Sequence, residues 1–171
     1  MGNGSRTGKA GFAALAASLA LLFSQAEAMA EPVKLRIDNS TALNLQMPAD
    51  ADARGGCAWR GPAALLQAGE SAAFTIAPAD GRSGVAPCNL SLAAPIMAPP
   101  PGHDAARVEL DLGAPTADRL TVAVRYAYKI AGAGGPWITM PVMLTELQPG
   151  ADATYLLDLT PLAEWLARTV P

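Results

Sequence analysis

"RLTVAVRYAYKI" (Arg119–Ile130) decides the fold, because its apolar and polar residues alternate without a break. The apolar and aromatic positions are Leu120, Val122, Val124, Tyr126, Tyr128 and Ile130. The intervening positions are Thr121, Ala123, Arg125, Ala127 and Lys129. Successive side chains of a strand point to opposite faces of a sheet, so this alternation predicts a strand with one face against the core.

The residues that follow predict a hairpin. "AGAGG" (131–135) is a flexible turn, and "PWITMPVMLTEL" (136–147) is the returning strand. Pro141 has no backbone N–H and cannot donate to a hydrogen-bonded ladder. We therefore expect the returning strand to lie at a sheet edge or to carry a bulge at Pro141.

Other short segments also have strand patterns bounded by turn residues. They are "VKLRID" (33–38), "LNLQM" (43–47), "SAAFTIA" (71–77), "CNLSLAA" (88–94), "RVELDL" (107–112) and "ATYLLDL" (153–159). "PADADARGG" (48–56) is predicted to be a loop. About eight short strands predict an all-β fold, an antiparallel β-sandwich or a barrel.

The C-terminal segment "TPLAEWLART" (160–169) predicts a short helix. Thr160 is expected to be its N-cap, with Pro161 at the first helical position. Leu162, Trp165 and Leu166 would form its apolar stripe. Residues 31–171 are expected to form a single domain, because neither half alone would bury much core.

The first thirty residues predict a cleaved secretory signal peptide. Arg6 and Lys9 form a basic start, and "FAALAASLALLF" (12–23) is the apolar centre. Ala28 and Ala30 then occupy the −3 and −1 positions of a cleavage site. The apolar run is too short for a transmembrane span, which needs about 20 residues. We expect a periplasmic or extracellular protein.

The charge of the exported chain argues against nucleic acid as a partner. Removing Arg6, Lys9 and Glu27 with the signal peptide leaves ten basic and fourteen acidic residues, a net charge of −4. Neutralising phosphates requires clustered Lys and Arg, and this sequence has no basic stripe. No later segment is apolar enough to predict a transmembrane span.

The two cysteines, Cys57 and Cys88, are predicted to form a disulfide, because an exported chain meets an oxidising compartment. Closing a loop of this length stabilises a fold by about 3.5–4 kcal/mol in the chain-entropy model. A zinc site needs four Cys or His ligands, and the chain has one histidine, His103. We expect no metal and no cofactor.

Two weaker metal patterns lead to the same expectation. "DADARG" (50–55) begins like a calcium loop, but Arg54 stands where a ligand is needed. Met140 and Met143 could suggest copper(I), yet three residues along a strand place two side chains on opposite faces.

A serine hydrolase would have to use His103 with Asp104 and one of Ser71, Ser83 or Ser91. The sequence has no G-x-S-x-G motif, and a single histidine in a Pro-rich loop is usually an exposed bystander. A non-enzymatic protein is therefore expected.

Trp59, Arg60 and Trp137 are the candidate ligand-binding residues. Trp59 is predicted to lie in a Gly-rich loop beside Cys57, followed by Arg60, and Trp137 begins a strand after the "AGAGG" turn. Loop aromatics on a sandwich often bind sugars, lipid headgroups or proteins. The alternative is that Trp59 packs over the disulfide and Trp137 covers an end of the core.

Three pieces of the first half resemble secreted lipid-binding β-sandwiches of the aegerolysin or actinoporin type. They are "RIDNSTALNL" (36–45), "GPAALL" (61–66) and "AGESAAFTI" (68–76). The resemblance implies a β-sandwich that binds a membrane surface. The aromatic-rich membrane-binding cluster of those toxins has no counterpart in this sequence.

Together these features predict an exported, non-enzymatic β-sandwich module that binds a protein or glycan in the bacterial cell envelope. The alternative is a lipid-binding or pore-forming β-sandwich component at a membrane surface. A lipid binder should expose Trp59 and Trp137 together, beside Arg54 and Arg60. An envelope module should show an apolar patch or an open edge strand.

Overall fold

Most of the described chain is β-strand. The computed structural model describes residues 32–51, 57–62, 64–78, 89–113 and 119–169. These ranges contain eleven strands and one helix. In chain order they are β1 (Val33–Asp38), β2 (Leu45–Met47), β3 (Asp50–Ala51), β4 (Cys57–Arg60), β5 (Ala64–Leu66), β6 (Ser71–Pro78), β7 (Asn89–Pro95), β8 (His103–Gly113), β9 (Leu120–Ile130), β10 (Ile138–Leu147), β11 (Thr154–Asp158) and α1 (Thr160–Thr169).

Strands β7 to β10 form a four-stranded antiparallel sheet in the order β10-β9-β8-β7. The predicted hairpin is confirmed, since β9 and β10 pair from Leu120↔Leu147 to Tyr128↔Ile138. The register shifts between Pro141 and Met143, and β10 is an edge strand of this sheet. Pro141 therefore meets both expectations, an edge position and a bulge.

Strand β1 belongs to a five-stranded sheet in the order β11-β1-β6-β4-β3. It pairs antiparallel with β6, from Val33↔Ile76 to Asp38↔Ser71. Its other neighbour, β11, runs parallel to it. This pair is an exception to the predicted antiparallel arrangement. A parallel pair needs a long connection, and the connection here contains every strand from β2 to β10.

The inward faces of the two larger sheets share one buried core, so the predicted β-sandwich is confirmed. The five-stranded sheet contributes Leu35, Ile37, Trp59, Phe74 and Ile76, and the four-stranded sheet contributes Leu92, Leu110, Val122, Val124 and Tyr126. A two-stranded sheet of β2 and β5 adds Leu45, Met47 and Leu66. In the described part of the chain each sheet is open, with two edge strands.

Helix α1 follows β11 directly and buries the predicted side of its surface. Leu162 is 1% exposed, and Trp165 and Leu166 pack against the core. The first helical hydrogen bond runs from Ala163 N to Leu159 O at 3.0 Å, so the helix opens one residue before the predicted N-cap, Thr160.

The segment around Trp59 is strand, which corrects its prediction as a Gly-rich loop. Cys57 and Trp59 are buried and Ala58 and Arg60 are not, the alternation of a half-buried strand. The glycine after this strand, Gly61, lies beneath the ring of Phe74. It is therefore required for close packing beside a strand and does not mark a loop. Strand β3 likewise begins inside the predicted loop 48–56, and residues 52–56 lie outside the described residues.

The predicted signal peptide, residues 1–30, lies outside the described residues, so cleavage and export stay predictions. Among the residues that are described, no helix is both long enough and apolar enough to cross a membrane.

Candidate functional site

Cys57 is fully buried at the start of β4. The described residues contain no free cysteine. Cys88 lies outside the described residues, so its pairing with Cys57 stays a prediction.

Trp59 lies in the core and offers no face to solvent. Its side chain is 1% exposed, its ring stacks on Phe74 with centroids 4.3 Å apart, and its Nε1 donates to Pro48 O at 3.0 Å. Arg60, the next residue, is exposed on the opposite face of the five-stranded sheet, where it pairs in register with Thr75. The three candidate ligand-binding residues are therefore not brought together, since Trp137 directly precedes β10 and its ring lies against the other sheet.

Trp137 lies on the outer face of the four-stranded sheet, where two cations contact its ring. The guanidinium carbon of Arg107 is 4.1 Å from the ring centroid, and Lys129 Nζ is 5.3 Å from it. Arg107 comes from β8 and Lys129 from β9, and Ala127 between them is 0% exposed although its position faces outward. Arg107 Nε also donates to Glu109 Oε1 at 2.8 Å. The indole is thus held in one place by charged neighbours.

A groove of about 440 Å³ runs beside this ring, and we call it the Trp137 groove. Its lining consists of the apolar residues Ala93, Pro95, Ile96, Met97 and Pro99 together with Asp104, Ala105, Ala106, Arg107 and Trp137. Met97 is 59% exposed. One oxygen of the Asp104 carboxylate, Oδ2, accepts from Gly132 N at 2.9 Å. The groove is therefore an apolar channel with a stacked cation at one side.

His103 is the first residue of β8 and half-buried, which corrects its prediction as an exposed bystander in a loop. Its Nδ1 lies 3.1 Å from Tyr126 Oη, and its ring centroid lies 4.3 Å from that of Tyr128. Burial lowers the pKa of the His103 imidazole. Burial, with a contribution from Tyr128, raises the pKa of Tyr126 to about 12.

A bulge explains why the sequence pattern did not place His103. The β8–β9 register shifts between His103 and Ala105. Without that shift, alternation from Ala105 and Arg107 would put residue 103 on the outer face. The extra residue turns His103 inward, toward Tyr126 and Tyr128.

The described residues do not assemble a Ser-His-Asp hydrolase. Asp104 binds Gly132 N rather than the imidazole next to it. Ser71 Oγ accepts from Arg36, and Ser91 Oγ donates to Asp111 at 2.6 Å. Ser83 lies outside the described residues.

A second, smaller cavity of about 90 Å³ lies on the inner side of β9, and we call it the aromatic cavity. Its lining is Pro101, His103, Tyr126, Tyr128, Met140, Trp165 and Thr169. The alternation of β9 and the stripe of α1 predicted that Tyr126, Tyr128 and Trp165 face the core. Nothing in the sequence indicated that the three rings and His103 would surround one space.

Metal-binding geometry is absent from the described residues, which contain no group of three His, Cys, Asp or Glu side chains able to hold an ion. The bulge between Pro141 and Met143 corrects the expectation that the two methionines lie on opposite faces, since Met140 pairs with Tyr126 and Met143 with Val124, both inward residues. Met143 packs against the core, and Met140, 38% exposed, lines the aromatic cavity on the same side.

Comparison of the chain with protein-family models, with curated proteins and with solved structures gave no match. The function is therefore argued from the sites themselves.

Proposed function

We propose that this protein is an exported, non-enzymatic β-sandwich module that binds a protein partner in the bacterial cell envelope through the Trp137 groove. The observation that carries the proposal is the indole of Trp137, held by Arg107 and Lys129 at the side of an apolar channel of about 440 Å³. Trp, Arg and Met are enriched at protein interfaces, and Trp and Arg carry much of the binding energy there.

The composition of the groove favours a protein segment over a glycan. Sugar recognition needs several free donors and acceptors beside an open aromatic face. Here the Arg107 guanidinium stacks on the indole and also binds Glu109, and Asp104 is bound to Gly132 N. What remains is chiefly apolar, which suits a short run of apolar side chains.

The edge strand β10 adds a second surface of the kind expected of an envelope module. It begins directly after Trp137, and its Leu144 is 76% exposed. An edge strand with an exposed apolar side chain is a place where an extended segment of another protein can pair.

The membrane-surface alternative has less support in the geometry. A lipid binder should expose Trp59 and Trp137 together, but Trp59 is 1% exposed and lies in the five-stranded sheet, away from Trp137. Binding to lipid is therefore kept as an outcome of the test below.

The proposed localisation in the cell envelope rests on the signal-peptide pattern of residues 1–30. Intact mass of the exported protein should match a chain that starts at Glu31, or at Met29 if cleavage follows Ala28. A full-length product confined to the cytoplasm would contradict this localisation.

Photo-crosslinking tests the groove. A benzophenone side chain is placed at Met97, in the groove, and at Leu156, a matched control on β11 that is 49% exposed. We expect one defined protein adduct from position 97 that is absent from position 156. Trp137→Ala should abolish it, and should weaken binding of the purified partner by about tenfold or more.

Equal adducts from both positions, or an adduct at position 97 that survives Trp137→Ala, would overturn the proposal. So would sedimentation of the purified chain with lipid vesicles that is lost in Trp137→Ala, because the groove would then serve a membrane.

A further inference from the structure

The aromatic cavity is walled by four aromatic side chains from three elements: His103 of β8, Tyr126 and Tyr128 of β9, and Trp165 of α1. Ring centroids lie 4.3 Å apart for His103 and Tyr128, 5.5 Å for Tyr126 and Trp165, and 5.8 Å for the two tyrosines. Tyr126 is wholly buried and forms the floor, while the other three rings are half-buried.

We propose that the aromatic cavity binds a quaternary ammonium group, such as the trimethylammonium end of choline or glycine betaine. The negative faces of aromatic rings attract a cation within about 6 Å of their centroids, and several rings together form the usual cage for this group. This inference does not rest on the Trp137 groove, which lies on the opposite face of the same sheet.

The size of the cavity fits the group. A cavity of about 150 Å³ holds benzene, with six heavy atoms. By the same ratio four heavy atoms need about 100 Å³, so a trimethylammonium group would fill the aromatic cavity of about 90 Å³ completely, with the rest of the ligand outside. Met140 and Pro101 complete the wall with apolar surface that suits the methyl groups.

With His103 neutral, no side chain that lines the aromatic cavity competes with a cation from outside. Within the described ranges, the cations found over an aromatic ring are Arg107 and Lys129, and both lie over Trp137. None of the residues lining the cavity carries a formal charge when His103 is neutral, and burial favours that form by lowering its pKa.

The same lining selects a quaternary over a primary ammonium group. No carboxylate lines the cavity, and the Tyr126 hydroxyl is within hydrogen-bond distance of His103. A primary ammonium would leave N–H donors without good acceptors, whereas trimethylammonium has no N–H to satisfy.

Titration followed by NMR tests the proposal on the mature chain. Choline is added while the indole signal of Trp165 and the imidazole signals of His103, the single histidine, are recorded. We expect saturable shifts at both residues and none at the Trp137 indole. Ethanolamine and the neutral isostere 3,3-dimethylbutan-1-ol should each bind about tenfold more weakly or worse.

Matched variants identify the rings. Tyr128→Leu should weaken choline binding by about tenfold, while Tyr128→Phe, which keeps the ring, should stay within about threefold of the wild type. If either variant at residue 128 fails to fold, Trp165→Leu and Trp165→Phe serve as a second pair, and choline binding is then followed through the His103 imidazole signals. Trp137→Leu, outside the cavity, is the control and should bind like the wild type.

Vesicles of phosphatidylcholine and of phosphatidylglycerol then separate the two sources of this headgroup. Binding to phosphatidylcholine vesicles that is lost in Tyr128→Leu assigns a lipid headgroup; choline binding without vesicle binding assigns a free solute. Absence of both, equal binding of the neutral isostere, or no effect of losing the ring at 128 or 165 would overturn the proposal.

Discussion

The ring of Phe74 lies so close over Gly61 that a Cβ there would be 2.1 Å from the Phe74 Cδ1 atom. Phe74 is held in this position by its stack on Trp59 and is 2% exposed, so it has little room to move. Only a glycine lets the chain leave β4 beneath that ring, which is why Trp59 can be buried there.

Gly61→Ala should therefore destabilise the protein by about 1–3 kcal/mol, because the added methyl overpacks the core. Gly135→Ala is the matched control, since no heavy atom lies within 4 Å of a Cβ built at that position and its φ is not positive. Urea unfolding of both variants measures the difference. Equal free energies of unfolding for the two would show that Phe74 moves freely.

His103 contributes to the stability of the fold, because its Nδ1 is the hydrogen-bond partner of the buried Tyr126 hydroxyl. An exposed bystander, the interpretation of His103 from the sequence, could be removed without an effect on folding. The structure leads to the opposite expectation for stability, since a buried hydroxyl left unpaired costs about 1–3 kcal/mol.

The stability supplied by the His103 imidazole should depend on pH. Burial lowers its pKa below 6.5, so the unfolded chain binds the proton more readily than the folded one. The other titratable groups that face it are Tyr126 and Tyr128, since Met140, Trp165 and Thr169 do not titrate. Its stabilisation is present above pH 6.5 and is lost as the pH falls through the folded-state pKa.

His103→Gln should thus reduce the free energy of unfolding at pH 7.5, and its deficit relative to the wild type should shrink as the solution is acidified toward pH 5. Chemical denaturation at both pH values checks this. A deficit that grows in acid would mean that the imidazolium, not the imidazole, is the form that the fold prefers.

Strand β9 links the fold to both candidate sites. Its inward residues Val122 and Val124 are 0% exposed, while its outward residue Lys129 reaches Trp137 and its inward residue Tyr128 lines the aromatic cavity. One strand therefore holds the core and presents a different site on each side.

Val124→Ala should lower the free energy of unfolding by roughly 2–4 kcal/mol, because it leaves a cavity in the centre of the sandwich. Thr121→Ala, on the outward face of the same strand, should lower it by less than about 1 kcal/mol. Thermal or urea unfolding compares them. Small and equal losses would contradict the assignment of the two faces.

The positions of the two cysteines along the chain indicate what the predicted disulfide would connect. Cys57 begins β4 in the five-stranded sheet, and the position of Cys88 in the chain immediately precedes β7 of the four-stranded sheet. A bond between them would tie the two sheets to each other covalently.

We therefore expect mass spectrometry of non-reduced peptides from the exported protein to contain Cys57 linked to Cys88. Reduction should lower the free energy of unfolding by about 2–5 kcal/mol. Alkylation of both thiols in protein that was exported and never reduced would refute the pairing.

Local sequence patterns were sufficient to predict β1, β9, β10, the inward residues of β9 and the stripe of α1, and the missing N–H of Pro141 predicted its edge position or bulge. This is because side-chain direction along a strand or helix depends only on neighbouring residues. The same rule failed at Trp59 and His103. The glycine that follows Trp59, Gly61, is covered by the ring of Phe74 from β6, so it does not mark a loop. An extra residue in β8 turns the His103 side chain to the opposite face of the strand.

Apart from the β9–β10 hairpin, only the tertiary structure decided which elements became neighbours. The parallel pairing of β1 with β11 joins segments from opposite ends of the described chain. Met97 and Trp137 both line the Trp137 groove, and His103 and Trp165 both line the aromatic cavity, although about 40 and 60 residues separate them in the chain. Such contacts follow from non-local pairing of strands, whose hydrogen bonds are the same for every sequence, and so no local pattern records them.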